Sequence, residues 1–317
     1  MQNSTILRRC VRAYLFQSGR IWNHLPASFR RLSPGRAYGS HLHALVCRYG
    51  ERKQNHSTWF LRNRPEMELM RRLLDQKAHG ASVNISVVAC SKGAEVYSIL
   101  WTIRSARPDL KICMHAVDIA QEIVDFAARG VYSHNSDDGA NAPNHERIAQ
   151  TGDVTWKDQP VSIFVRMADE EVQAMFEIEG DQARVRPWLK EGVAWLRGDA
   201  SDPDFASVVG PQDIVVANRF LCHMEPAAAE GCLRNIAQLI RPGGYLFVSG
   251  VDLDVRAKVA RDMGWKPVTD MMREVHEGDD SLTQAWPMDY WGIEPFSNGR
   301  PDWKIRYASV FQIGETS

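Results

Sequence analysis

Residues 84–98 (Asn-Ile-Ser-Val-Val-Ala-Cys-Ser-Lys-Gly-Ala-Glu-Val-Tyr-Ser) constrain the fold more than any other stretch of this 317-residue chain. The apolar run Ile85 to Cys90 reads as a buried parallel strand. It stops at a small-residue turn holding Gly93, and a helix restarts at Glu95 with Ile99, Leu100 and Ile103 on it. Strand, tight turn and helix start form the edge at which open α/β sheets hold a nucleotide-like ligand. Neither G-x-G-x-x-G nor G-x-x-x-x-G-K-[ST] occurs here, which argues against a pyrophosphate cradle. A carboxylate at the helix start, Glu95, suits a cationic or polyhydroxylated ligand better than a phosphate.

Further strands follow at the spacing an α/β sheet needs. Cys113 to Asp118 ends in an acid placed to accept hydrogen bonds from two ribose hydroxyls. Val193 to Asp199 alternates and also ends in an acid, and Asp213 to Asn218 is apolar with a polar tip. Ala227 to Ile240 reads as a helix, Arg241-Pro242-Gly243-Gly244 as a turn, and Tyr245 to Gly250 as a buried strand. Residues 305–313 read as the closing strand. A helix, a P-G-G turn and an aromatic-aliphatic strand resemble the approach to the fifth strand of S-adenosylmethionine-dependent methyltransferases. The expected fold class is therefore α/β, a Rossmann-like class I methyltransferase sheet, mostly parallel with an antiparallel last strand. An N-terminal helical subdomain would precede it.

Four segments sharpen the resemblance, over roughly residues 55–250. Ser91 to Ser98 (S-K-G-A-E-V-Y-S) resembles the S-T-G-E-E-P-Y-S segment of the chemotaxis-receptor glutamate methyltransferase (CheR-type) family. Thr58-Trp59-Phe60-Leu61-Arg62 is similar to its T-x-F-F-R element. Asp118-Ile119 with Ala127-Ala128-Arg129-Gly130-Val131-Tyr132 is similar to its D-I…A-R-x-G-x-Y, and Ala217 to Leu221 stands where the family has C-R-N-V-L. Departures cluster on one side. Lys92, Ala94 and Val96 replace Thr, Glu and Pro, the Arg-Asn pair is inverted to Asn218-Arg219, and a family tyrosine is His223. Arg62, Glu95 and Asp118 are kept, so the cofactor half reads as conserved in type and the acceptor half as rebuilt.

The resemblance implies S-adenosyl-L-methionine as cofactor and S-adenosyl-L-homocysteine as product. Glu95 would bond the cofactor's amino group and Asp118 its ribose, with Asp199 or Ala200 bordering the adenine. Ala89 and Gly93 would let the backbone approach, and Thr58 and Ile119 would complete the cofactor contacts. Arg62 is a candidate clamp, for an acceptor carboxylate or for the methionine carboxylate of the cofactor. His223 is the second catalytic candidate, and would serve as general base if the acceptor were a hydroxyl. Asn218 and Arg219 would orient acceptor or cofactor.

Composition bounds the rest. A hydrophobic share of 44% and a charged share of 24% describe an ordinary globular chain, and no apolar run approaches the ~20 residues that cross a bilayer. The cysteines (Cys10, Cys47, Cys90, Cys113, Cys222 and Cys232) lack C-x-x-C spacing and read as reduced core thiols of a cytoplasmic protein. Histidines and acids show no metal-ligand spacing, so no metal is expected. Residues 1–53 carry ten Arg or Lys against the single acid Glu51, whereas the whole chain is −1. This excess reads either as the solvated face of a basic helical subdomain at 1–80 or as an attractor for an acidic partner or membrane surface. No zinc module or aromatic-interleaved strand accompanies it, so no nucleic-acid partner is expected.

Residues 81–317 would form the methyltransferase domain, with insertions at about 133–190 and 252–303. Within the first, 133–160 reads as a loop, and Ile163 to Val165 and Ala183 to Val185 as strands of a small subdomain. The second is rich in aromatics (Trp265, Trp286, Tyr290, Trp291, Phe296, Trp303), which would either cap an apolar acceptor pocket or pack on the sheet edge. The resulting expectation is methyl-ester formation on a small acidic molecule, such as a hydroxy fatty acid. The alternatives are protein-glutamate methylation of chemoreceptors and a non-catalytic cofactor-sensing module.

Overall fold

The computed structural model describes residues 2–134 and 162–314, with backbone alone for residues 2–6 and Arg8. Helices α1 (Gln2–His24), α2 (Ala27–Arg31) and α3 (Ser33–Tyr49) open the chain, and an extended segment leads to α4 (Arg64–Leu74). The strands β1 (Ser82–Val88) and β2 (Lys111–Asp118) flank α5 (Ala94–Ala106). After α6 (Gln121–Arg129) come β3 (Val131–Ser133), α7 (Asp169–Met175), β4 (Phe176–Glu179), β5 (Gln182–Val185) and α8 (Pro187–Lys190). The second half runs β6 (Val193–Arg197), α9 (Phe205–Val209), β7 (Gln212–Val216), α10 (Pro226–Ala237), β8 (Ile240–Phe247) and α11 (Leu253–Asp262). It closes with β9 (Lys266–Pro267), α12 (Met272–Glu277), α13 (Asp280–Ala285), α14 (Trp303–Tyr307) and β10 (Val310–Gln312).

The main sheet has the order β6-β2-β1-β7-β8-β10-β9. Pairs from β6 to β8 are parallel, and β10 runs antiparallel to both β8 and β9. This is the expected doubly wound α/β fold. Its central strands read as near-continuous apolar runs because both faces are covered. On β7, Ile214 and Val216 enter the core shared with α4 and α5, while Val215 enters the core shared with α9, α10 and α11. Helix α4 starts where Asn63 accepts the Glu66 backbone N–H at 3.2 Å, and it buries Met67, Met70 and Leu74 at helical spacing.

Several sequence expectations change. Ile163 to Val165 form a turn; Phe164 stacks on Phe60 at 5.5 Å without a strand partner. The small antiparallel sheet is instead β3-β5-β4, with Ala183 to Val185 inside β5. The expected closing strand at 305–313 splits into α14 and the short β10, because alternation across Ile305 to Ile313 mixes a helix face with a strand. Arg241 to Gly244 belong to β8, which has a register shift opposite Gln212 and Ile214. Cys10 and Cys113 are exposed, contrary to the reading of all six cysteines as core thiols, and all six are free. The loop expected at 133–160 lies, beyond His134, outside the described residues. No helix among the described residues is long and apolar enough to cross a membrane.

The aromatic C-terminal excursion packs against structure. Trp286 meets Trp22 edge-on at 5.4 Å over Leu42, and Tyr290 packs with Val46 and Cys222. Phe296 and Trp303 pack around Tyr307, and Trp265 against Phe311. Gly39 of α3 is buried at this seam, and a Cβ there would run into the rings of Trp286 and Trp22. Gly39→Ala should therefore cost about 1–3 kcal/mol of overpacking, partly offset by its better helix propensity. The expected readout is a lower Tm with faster amide exchange in α1 and α3 and unchanged exchange in β1 and β7.

Candidate active site

Strand order reverses between β1 and β7, and a crevice opens there at the carboxyl ends of the parallel strands. It holds a cavity of about 380 Å³. The tips of β1, β2, β6 and β7 form its floor, the extended segment 54–59 crosses over it, and the start of α4 forms one wall. The turns are tight enough to need left-handed backbone at non-glycine positions: Ala89 (φ 56°), Ser91 (φ 49°) and Arg219 (φ 63°). Such conformations cost about 1–3 kcal/mol each and persist where surrounding structure enforces them. Gly250 makes room for one of them: its own φ is 58°, and a Cβ on it would stand 2.8 Å from the Arg219 Cα.

Thr58, Arg62, Ala89, Glu95, Asp118, Ile119, Asp199, Ala200, Asn218, Arg219 and His223 all line this cavity. Gly93 does not. It sits at the N-cap of α5 with φ 84°, and a Cβ there would press on Ala127 (3.0 Å) and Trp195 (3.2 Å). Close helix–sheet packing, not backbone approach to a ligand, explains that glycine. At the β2 tip the buried Asp118 accepts from the Ser91 backbone N–H at 2.9 Å and the Ala120 N–H at 3.2 Å, which fixes both of its oxygens. The Ser91 hydroxyl donates to the His56 carbonyl at 2.8 Å and ties the crossing segment to the β1 turn.

At the other end of the cavity the charges are dense. The Asn218 amide donates to Glu66 Oε1 (2.7 Å) and Glu95 Oε1 (2.8 Å), while its own oxygen accepts from the Ser249 N–H and hydroxyl. Burial, then the nearby Glu95 charge, raises the Glu66 carboxyl to about 8, although the Asn218 bond pulls the other way. Burial also raises Glu95. Asp279 is 3% exposed and accepts from Arg219 Nη1 at 2.6 Å, Arg166 Nη2 at 3.0 Å and the Ser281 hydroxyl at 2.6 Å. Burial opposes its ionisation, but the charges of Arg219, Arg62 and Arg166 outweigh this and hold it at about 2. Arg62 lies 4.9 Å over the Trp59 ring and donates to the Ser57 carbonyl at 3.0 Å; burial and Arg219 lower it to about 10, so it stays charged at neutral pH.

His223 stands beside the β7 tip with Nδ1 2.8 Å from the Tyr290 hydroxyl. Burial, then the charges of Arg219 and Arg52, lowers it to about 4, so it is a neutral imidazole at physiological pH. It can orient an acceptor but supplies no positive charge. Glu66, Asn63, Arg166, Ser249 and Asp279 are site residues or supports that the sequence reading missed. The pattern Asn63-Arg64-Pro65-Glu66 could have flagged a helix start, but it marks Glu66 as a surface capping acid. The fold buries it. Asp279 reads locally as an ordinary helix N-cap, and it does accept from the Ser281 N–H.

The donor set fits an amino-acid-bearing nucleoside. Four buried polar atoms of cavity-lining residues have no hydrogen-bond partner among the described residues: Ser57 Oγ, Trp59 Nε1, Arg62 Nε and Glu66 Oε2. Three can donate to a carboxylate and the fourth can accept from an ammonium, while Asp118 offers acceptors to a diol. Among the described residues no group of His, Cys, Asp and Glu could hold a metal ion.

The chain matches the family profile described as "CheR methyltransferase, SAM binding domain" over residues 55–157, and that described as "Methyltransferase domain" over 169–248. Both matches are to S-adenosylmethionine-dependent methyltransferases of class I, the first of them resembling the CheR type, and S-adenosylmethionine is the cofactor they imply. The chain is 24% identical over 201 residues to Chemotaxis protein methyltransferase 1 of Vibrio cholerae, covering 61% of this chain and 63% of that one. It is 22% identical over 216 residues to the Probable biofilm formation methyltransferase WspC of Pseudomonas aeruginosa, covering 67% of this chain and 44% of the relative. The chain thus spans less than two thirds of the length of either curated relative. Magnesium protoporphyrin IX methyltransferase from Synechocystis, solved with bound S-adenosylmethionine, aligns at 12% identity and a TM-score of 0.33, over 84% of this chain and 88% of that one.

Asp279→Asn should destabilise the protein by about 3 kcal/mol, because it removes the buried anion that faces three half-buried guanidiniums. The Asp279 carboxyl is depressed from 3.8 to about 2, so its contribution is present above about pH 4 and is lost as pH falls toward 2. Acid unfolding of the wild type, followed by circular dichroism, should show this loss, and Asp279→Asn should flatten it.

Proposed function

We propose that the protein forms a methyl ester on a carboxylate presented from outside the cavity, in the first instance a glutamyl side chain of a protein. The observation that carries this reading is the excess of guanidinium at the acceptor end. Arg62, Arg166 and Arg219 surround a single strongly ionised carboxylate, Asp279. Such an excess attracts an anion. The cavity volume supports presentation from outside. About 380 Å³ lies near the lower end of ligand pockets, and a nucleoside joined to an amino acid fills most of it.

When bound, the cofactor supplies a methyl group activated by its sulfonium. The remaining work falls to this chain. Asp118 would hold the ribose diol, Asp199 and Ala200 would border the adenine, and Arg62 with Ser57 would hold the methionine carboxylate. Arg219 would grip one oxygen of the acceptor carboxylate while the other attacks. That acceptor is ionised at neutral pH, with a reference pKa of about 4, and needs no base. Neutral His223, fixed by Tyr290, would orient it by a single hydrogen bond. The segment 54–59 covers the site and limits water.

The acyl-substrate expectation loses its footing. None of Trp265, Trp286, Tyr290, Trp291, Phe296 and Trp303 lines the cavity, so these rings offer an acceptor no apolar wall there. The similarity to a chain named as a chemotaxis protein methyltransferase leans the same way, toward a protein acceptor.

Methyl-labelled cofactor incubated with cell extract should place base-labile, volatile label on a protein band. Label confined to organic-soluble small molecules, or stable to base, would refute the proposal. Arg219→Lys should lower kcat/KM for the acceptor by about 10²-fold, since an ammonium cannot replace a two-pronged guanidinium. At saturating cofactor, kcat should stay flat between about pH 6 and 8, with His223→Gln retaining activity within about tenfold. An inflection near pH 6.5 that His223→Gln abolishes would show instead that His223 acts as a base.

A further inference from the structure

We propose that Glu66 joins Glu95, which the family resemblance already assigns to the cofactor's amino group, in a two-carboxylate seat for the methionyl ammonium, and that seating it expels a proton held by the pair. The inference rests on the identity of the cofactor and not on the acceptor proposed above. Glu66 projects from the first turn of α4 and Glu95 from the first turn of α5, so their placement together is a product of helix packing. Both line the cavity, and both bond the same amide nitrogen, Asn218 Nδ2, at 2.7 and 2.8 Å. Glu66 is 1% exposed, and its second oxygen, Oε2, has no partner among the described residues. A buried carboxylate oxygen left bare in a ligand cavity is costly unless a proton or a ligand meets it.

The surrounding charges decide which of the two meets it in the free protein. Arg62, from the segment before α4, favours ionisation of both acids, and Arg219 at the β7 tip favours that of Glu95. Asp279, ahead of α13, disfavours ionisation of both. Buried Arg256 of α11 feels the Glu66 charge, whereas His276 of α12 is held neutral by burial, at about 4. Burial outweighs the favourable charges, and Glu66 is raised to about 8. At pH 7 the pair therefore keeps a proton. An ammonium between the two carboxylates replaces that proton one for one: its N–H groups bond the oxygens, and the displaced proton leaves to solvent. The seat stays electrically balanced before and after. It also gives a reason for the acid on α4, which helix capping alone does not, since its side chain turns away from the cap to Asn218.

Isothermal titration calorimetry of the full chain at pH 7, in phosphate and in Tris, counts the protons through the buffer ionisation heat. S-adenosylhomocysteine carries the ammonium, and 5′-methylthioadenosine is the thioether nucleoside without the amino-acid portion, ammonium and carboxylate both; the Glu66→Gln comparison then assigns the proton to the ammonium seat. About one proton should be released per S-adenosylhomocysteine bound and none per 5′-methylthioadenosine. Glu66→Gln keeps an oxygen for Asn218 but has no proton to lose. It should abolish the release and weaken S-adenosylhomocysteine by about tenfold, while 5′-methylthioadenosine binds within about twofold of wild type. Retained binding of 5′-methylthioadenosine also reports that the variant is folded. Wild-type binding of S-adenosylhomocysteine without proton release, or equal release by Glu66→Gln, overturns the inference while leaving the cofactor in place. Failure of both ligands to bind the wild type overturns the cofactor assignment and this inference with it.

Discussion

One side-chain amide holds the site together. Asn218 follows β7, and its nitrogen donates to acids from α4 and α5 while its oxygen accepts from Ser249 beyond β8. Four elements from distant parts of the chain thus meet at a single buried group. The geometry uses both faces of the amide, donor and acceptor, so no residue of similar size replaces it. Its backbone neighbour Arg219 lies in the left-handed region, close against Gly250, where a side chain would not fit. The strain and the hydrogen bonds are two sides of one arrangement at the strand tips.

Around that amide the charges are sorted. One carboxylate, Asp279, is surrounded by guanidiniums and is strongly acidic; two others, Glu66 and Glu95, are buried side by side and are weakly acidic. The same residue type therefore plays opposite electrostatic parts within one cavity, and the difference lies in which neighbours burial provides. Guanidiniums and carboxylates thus interleave at the same end of the cavity, with Arg62 and Arg219 close to both Glu95 and Asp279. That mixture suits the zwitterionic amino-acid portion of a ligand.

The N-terminal helices and the C-terminal aromatics form a separate seam. Trp22, Leu42 and Trp286 make a small core of their own, and Arg52 joins it to the catalytic sheet through Asp252 at 2.8 Å and the Cys222 carbonyl. Tyr290 belongs to both the seam and the site, since it packs on Val46 and fixes His223. Trp286 and Tyr290 thus dock the helical layer, while Trp265, Phe296 and Trp303 pack with Phe311 and Tyr307 beside the sheet.

By itself the sequence determined the sheet, the cofactor and the polar strand tips of the cavity wall. Buried parallel strands must be apolar along their length, and the polar residues that end them (Asp118, Asp199, Asn218) must lie at the ligand edge, so a linear pattern suffices to find them. It failed where neighbours in space are remote in sequence. Gly93 looked like a ligand contact and lies outside the cavity lining, where a Cβ would press on Ala127 and Trp195; Glu66 drew no reading from the sequence and is buried 2.7 Å from an amide 152 positions away. Asp279 drew no reading either, and it neutralises arginines brought by three other segments. Only the tertiary structure decided these roles, because a carboxylate's charge, partners and use depend on what surrounds it after folding.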